Sequence, residues 1–191
     1  TRNYVQADPL SRINWKATAR RGELQSKVLE STTTPNLAIF LDVNTMETRF
    51  QAPLEAALES AIVVAGSIAT HAINSGHNVG LYVNEPYRGT REPIRLAPSR
   101  HPDHLQRILV ALAHPQGWPV HSIEQVLAKE GRNIPWGASI VVVTPTPTGP
   151  LLGSIRRFKR AGRSLSLIQV GNTTGTTIPR DIQAYFVSDQ I

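Results

Sequence analysis

From Asn36 onward, short apolar runs alternate with longer segments whose apolar residues return every three or four positions. The runs fit strands buried on both faces, and the longer segments fit amphipathic helices. The pattern predicts strands at 37–43, 79–83, 94–97, 139–144, 165–170 and 184–187, and helices at 53–75, 102–113, 122–130 and 151–161. Strand and helix in alternation predict an α/β fold, a mostly parallel sheet with helices on both faces. Gly76, Gly131 and Gly162 follow three of the helices, where a left-handed stop is wanted. Between the fourth strand and its helix, Thr144-Pro145-Thr146-Pro147-Thr148-Gly149-Pro150 predicts an exposed, stiff loop that is neither element.

The first 35 residues lack that rhythm. Asp8-Pro9 followed by Leu10, Ile13 and Ala17 predicts a short capped helix, stopped at Arg20-Arg21-Gly22. Residues 24–30 alternate loosely, as a strand would, and 31–35 read as a linker rich in Ser and Thr. The organisation expected is an N-terminal segment with linker over 1–35 and the sheet domain over 36–191. No basic-then-apolar leader follows Thr1, so the sequence reads as a piece of a longer protein.

Composition narrows the class. With 191 residues and 40% hydrophobic positions, the chain can bury a core without metal or disulfide help. Zero cysteine excludes disulfide scaffolds, thiolate zinc sites, iron–sulfur clusters and cysteine nucleophiles. A net charge of +6 favours acidic partners: nucleic acid, anionic lipid or the acidic face of another protein. Residues 60–84 carry no formal charge, but Ser67, Thr70, His71, Asn74, Ser75, His77 and Asn78 interrupt them, so no membrane span is expected.

In an open sheet of this kind, ligands bind outside the carboxyl ends of the strands, where strand order reverses. The loops after the first and fourth strands are the candidates, and Asp42, Asn44, Thr45 and Thr144 are the oxygen donors they could offer to a hard cation such as Mg²⁺. The plainer reading has Asp42 and Asn44 bonding the loop backbone as Asx residues do, with no bound cofactor. His101 and His104 at a helix entrance lack a third ligand nearby and read as a surface helix start. No G-x-G-x-x-G, G-x-x-x-x-G-K-[ST] or G-x-S-x-G motif occurs, so no enzyme is expected. One basic cluster, Arg12, Lys16, Arg20 and Arg21, surrounds Trp15, which suits either a protein-docking anchor or a pin holding its segment to the body. Another, Arg156, Arg157, Lys159, Arg160 and Arg163, lies on one helix and its exit with Phe158 turned to the sheet, and reads as a solvated face before it reads as a nucleic-acid surface.

The opening run holds Arg2, Tyr4, Asp8, Ile13, Trp15, Lys16, Ala17, Ala19, Arg20, Gly22 and Leu24, with Ala7 and Asn14 where a known signature has Gly and Asp. It resembles the bacterial domain of unknown function 58 family, as do Asp42-Val43-Asn44-Thr45 and Gly76-His77-Asn78-Val79-Gly80-Leu81. The resemblance implies a von Willebrand factor A-like (Rossmann-like) sheet of order 3-2-1-4-5-6. It also implies a non-enzymatic adaptor or assembly factor working with a MoxR-type AAA+ ATPase. This piece would lie on the cytoplasmic face of a membrane, anchored through segments upstream of it. Metal-binding relatives of the fold carry D-x-S-x-S after the first strand and an Asp after the fourth. Here Asn44 and Met46 replace the serines, and Thr144-Pro145 offers no Asp. The resemblance therefore implies a degenerate metal site turned to protein docking, with Asp42, Asn44, Thr45 and Thr144 on that surface. The alternatives are a Mg²⁺-dependent adhesion module and a basic binder of nucleic acid or anionic surfaces.

Overall fold

The computed structural model describes residues 2–5, 13–26, 36–45, 55–87, 89–171 and 177–188. They fall into two compact units, Thr1–Thr33 and Thr34–Ile191.

In the first unit, strand β1 (Arg2–Asn3) precedes helix α1 (Trp15–Arg21), and β2 (Gln25–Ser26) returns antiparallel to β1. The helix starts later than the sequence pattern predicts. Ile13 is buried and bridges Ser26, which takes it out of the helix, and Asn14 caps the first turn by accepting the Ala17 N–H at 3.2 Å. Residues 8–10 of the expected helix, 27–30 of the expected strand and the 31–35 linker lie outside the described residues. Gly22 closes the helix at φ 74°, a left-handed stop only glycine takes freely. Trp15 opens the helix with its side chain 68% exposed.

The second unit runs β3 (Asn36–Leu41), α2 (Glu55–Asn74), β4 (Asn78–Pro86), β5 (Pro93–Ser99), α3 (His104–Leu112), α4 (Ile123–Glu130), β6 (Ser139–Thr144), α5 (Gly149–Arg160), β7 (Ser164–Val170) and β8 (Gln183–Val187). Its sheet has the order β5-β4-β3-β6-β7-β8, which is 3-2-1-4-5-6 counted from β3. Every pair is parallel except β4 with β5, a bulged antiparallel hairpin. Parallel neighbours need crossovers, and the helices that supply them cover both faces.

Strand alternation sorts the core in two. Ile39, Leu41, Leu81 and Val143 face α2 and α3, whereas Ala38, Phe40, Tyr82 and Val142 face α4 and α5. On α2 the buried stripe is Ala61, Ala65, Ala69 and Ala72, small residues at helical spacing that let a long helix lie close to the sheet. By length and composition α2 could cross a membrane; here one face of it is packed into the first core. On the other side Phe40 and Tyr82, paired in register, stack with centroids 4.7 Å apart.

Three local expectations are overturned. Gly131 is right-handed (φ −60°) rather than a left-handed stop; a Cβ there would sit 2.6 Å from the Phe158 ring, so close approach is what requires glycine. The segment after Thr144 is not an exposed loop throughout: Pro145 and Pro147 are buried, and the exposed Gly149-Pro150 already form the first turn of α5 behind the Thr148 cap. His104 is no surface residue: it is buried, with Nε2 donating to the Val79 carbonyl at 2.7 Å.

Candidate functional site

Register brings four polar side chains into one row at the carboxyl edge of the sheet. Leu41 pairs with Val83 and with Val143, so the next residues, Asn84, Asp42 and Thr144, stand side by side, and Thr144 pairs with Gln169. All four follow the alternation onto the face of α4 and α5, above Phe40, Tyr82, Val142 and Leu167. Asp42 is 3% exposed, Asn84 and Thr144 0%, and Gln169 4%.

Asp42 is the hub of the row. Its Oδ1 accepts the Asn84 amide at 2.8 Å and the Asn44 N–H at 3.1 Å, and its Oδ2 accepts the Thr144 hydroxyl at 2.8 Å. Asn84 Oδ1 in turn accepts the Val43 N–H at 3.0 Å, and Thr144 Oγ1 accepts the Thr146 N–H at 3.2 Å. Three strands and both flanking loops are thereby tied at one buried carboxyl. Burial pushes Asp42 up to about 6; the bonds from Asn44, Thr144 and Asn84 oppose that rise, and Glu124 adds to it. Thr45 is buried and Asn44 half-buried beside it.

The oxygen donors of the row are already engaged with one another and with the loop backbone. A hard cation needs several free oxygens, yet both Asp42 oxygens and the Asn84 carbonyl already accept hydrogen bonds. Among the described residues, no group of three or more His, Asp or Glu gathers as ligands. Met46 lies outside the described residues.

Next to the row, Glu85 fixes the surface. Its carboxylate, 7% exposed, accepts the N–H groups of Gln116, Gly117 and Trp118 at 2.9–3.2 Å, and the Val120 N–H reaches the Asn84 carbonyl at 3.2 Å. The loop between α3 and α4 is folded down on the end of β4, with Trp118 58% and Val120 49% exposed. Tyr87 and His114 flank it, ring centroids 4.5 Å apart.

Of the residues singled out from sequence, Asp42 and Thr144 are bonded together, and Asn44 and Thr45 adjoin them. Trp15, Lys16 and Arg20 lie exposed on α1 in the other unit, and Arg12 lies outside the described residues. Asn84, Glu85, Gln169 and Trp118 were not anticipated. A signal existed for the first three: each follows the apolar run of a strand that ends at the same edge as Asp42. For Trp118 there was none, because its place depends on a bond to Glu85 from across the loop.

The family model described as "Protein of unknown function DUF58" matches residues 1–179. No curated protein matches the chain. Among solved structures, the SpRpn10 VWA domain aligns with TM-score 0.50 at 14% identity, over 82% of this chain and 88% of that one. An aerotolerance-related membrane protein from Bacteroides fragilis NCTC 9343, with multiple mutations to serines, aligns with TM-score 0.51 at 16% identity, over 76% and 72%. A manganese-loaded Plasmodium vivax TRAP protein aligns with TM-score 0.52 at 12% identity, over 81% and 68%. Other neighbours are far longer: the chain spans 25% of the SpaC pilus adhesin of Lactobacillus rhamnosus GG, with TM-score 0.54 at 12% identity over 77% of this chain. At these identities the likeness shows the fold, a von Willebrand factor A domain.

Proposed function

The chain belongs to the DUF58 family of proteins of unknown function, and we propose that its von Willebrand factor A-like domain is a non-enzymatic protein-docking module that works without a metal. The observation that carries this reading is the engagement of Asp42. Where a metal-dependent domain keeps a carboxylate open to a cation, both oxygens here close hydrogen bonds to Asn84, Asn44 and Thr144. Among the described residues, Trp118 and Val120 stand exposed at this edge, held by Glu85 and Asn84. Exposed tryptophan on a fixed loop is the usual material of a binding hot spot.

In this reading Asp42, Thr45 and Thr144 shape the surface from beneath, and Asn44 and Trp118 meet the partner. Trp15, Lys16, Arg20 and Arg12 form a second contact in the N-terminal unit. The partner is a MoxR-type AAA+ ATPase, and the module works at the cytoplasmic face of a membrane to which upstream segments anchor it. The family resemblance of residues 2–24 supports both statements.

Two measurements test the reading. Calorimetric titration with the purified ATPase should give saturable binding that Trp118→Ala weakens about tenfold, the scale of one interface anchor. Thermal unfolding of the chain alone should be the same in Mg²⁺ and in chelator. Stabilisation that grows with Mg²⁺ and disappears in Asp42→Ala would replace the proposal with metal-dependent adhesion. Absence of ATPase binding would remove that partner.

A further inference from the structure

Helices α4 and α5 run back from the carboxyl ends of the strands, so they finish at the pole opposite Asp42. There Ala128, Arg132, Arg157, Phe158 and Ala161 line a cavity of about 220 Å³. Its apolar wall is fixed, because the Phe158 ring sits where a side chain on Gly131 would be and packs into the second core. Both arginines are exposed, and Arg157 is steadied by its Nη2 bond to Ser154 Oγ at 2.9 Å.

The charge around this cavity is uncompensated. Arg156 is taken by Asp181 through two bonds of 2.9 Å, and Lys159 by the Asp181 carbonyl. Among the described residues, no carboxylate pairs with Arg132, Arg157 or Arg160, the last lying one turn beyond Arg157 on α5. A helix C-terminus welcomes a cation in its last turn. Three guanidinium groups at adjoining helix ends exceed that need and leave a local excess of positive charge that favours an anion.

We propose that this pole is a second docking surface, and that its occupant is an acidic protein segment carrying one apolar side chain between carboxylates. The apolar residue fills the cavity against Phe158, Ala128 and Ala161, while the carboxylates take Arg132, Arg157 and Arg160 in forked pairs. Charge complementarity selects an anion, and the small apolar cavity selects a peptide. Single-stranded nucleic acid would need open aromatic faces for stacking, and the Phe158 ring is half-buried under Gly131.

Fluorescence polarisation of the full chain with a short labelled peptide, one phenylalanine between runs of glutamate, tests this. Saturable binding is expected, weakened about tenfold in Arg132→Glu/Arg157→Glu and also in the neutral pair Arg132→Gln/Arg157→Gln, with melting curves confirming that each variant folds. Replacing the peptide's phenylalanine by alanine should weaken it further, and Trp118→Ala should leave it unchanged, which separates this surface from the carboxyl edge. Equal binding of a glutamine-substituted peptide, no peptide binding, or indifference to both arginine pairs overturns the proposal. So does tighter binding of duplex DNA or of phosphatidylglycerol vesicles than of the peptide.

Discussion

Asn84 and Asp42 stand side by side at the ends of neighbouring strands, and the amide of one donates to the carboxyl of the other at 2.8 Å across 42 positions of sequence. The same Asn84 side chain accepts the Val43 N–H, so it joins β4 both to the hub and to the chain leaving β3. Asn84→Ala orphans the buried Val43 N–H, at about 1–3 kcal/mol, takes one of two donors from Asp42 Oδ1 and opens a cavity in a fully buried position. Thr144→Val keeps the volume and opens no cavity, but it takes the donor from Asp42 Oδ2 and the acceptor from the half-buried Thr146 N–H, costing about 1–2 kcal/mol. Urea unfolding should rank Asn84→Ala as the more damaging; the reverse order would mean that Thr144, not Asn84, anchors the row.

Protonation of Asp42 has a signed consequence for stability. Its carboxyl is raised from 3.8 to about 6 in the fold, so between those values the native state holds more proton than the unfolded chain. Stability from this group is full below pH 3.8 and is lost as pH rises through 6, by about 2–3 kcal/mol for a shift of this size. Asp42→Asn cannot titrate, and its amide can donate to the Thr144 hydroxyl while its carbonyl keeps Asn84. Denaturation at pH 4–7.5 should show wild type losing stability relative to Asp42→Asn as pH rises. A constant difference would place the Asp42 carboxyl outside this window.

The two central strands are legible because each is a short apolar run closed by a polar residue, Leu37–Leu41 before Asp42 and Ile140–Val143 before Thr144. The candidate site was half legible for the same reason. Asp42 and Thr144 end the two central strands, but Asn84 stood hidden in a strand that runs on to Pro86 past the last apolar residue of the run. What sequence could not carry was tertiary contact. Gly131 looked like a helix stop because the Phe158 ring that excludes a side chain arrives from another helix. His104 looked exposed because its partner, the Val79 carbonyl, belongs to β4.

Two glycines on neighbouring helices separate backbone freedom from space. Gly131 has ordinary helical angles, so Gly131→Ala meets no dihedral penalty, yet its Cβ would meet the Leu127 carbonyl oxygen at 2.5 Å and the Phe158 ring at 2.6 Å. We expect a loss of about 1–3 kcal/mol from overpacking, restored only in part by Phe158→Leu, which frees the ring contact and leaves the Leu127 carbonyl in place. Gly153, inside α5 with nothing within 4 Å, should gain about 0.5–1 kcal/mol on substitution by Ala. Thermal melts of the four proteins decide it, and equal effects at both glycines would show that the Phe158 ring yields freely.

Glu85 should control the loop that presents Trp118 without controlling the polar row. Its Oε2 accepts from Gln116, Gly117 and Trp118, and its Oε1 accepts a second contact from Gln116. A carboxylate suits three converging N–H groups because it only accepts, whereas Glu85→Gln would turn an NH₂ toward one of them. Glu85→Gln should therefore cost about 1 kcal/mol, and Glu85→Ala, which abandons all three donors, about 2–3 kcal/mol. The loss should be local. Amide exchange at 116–118 should quicken in Glu85→Ala, and Trp118 emission should shift to the red, while the pH dependence assigned to Asp42 is kept. If exchange quickens equally at Val43 and Asn44, the loop and the row unfold as one unit, and Trp118 is not held by Glu85 alone.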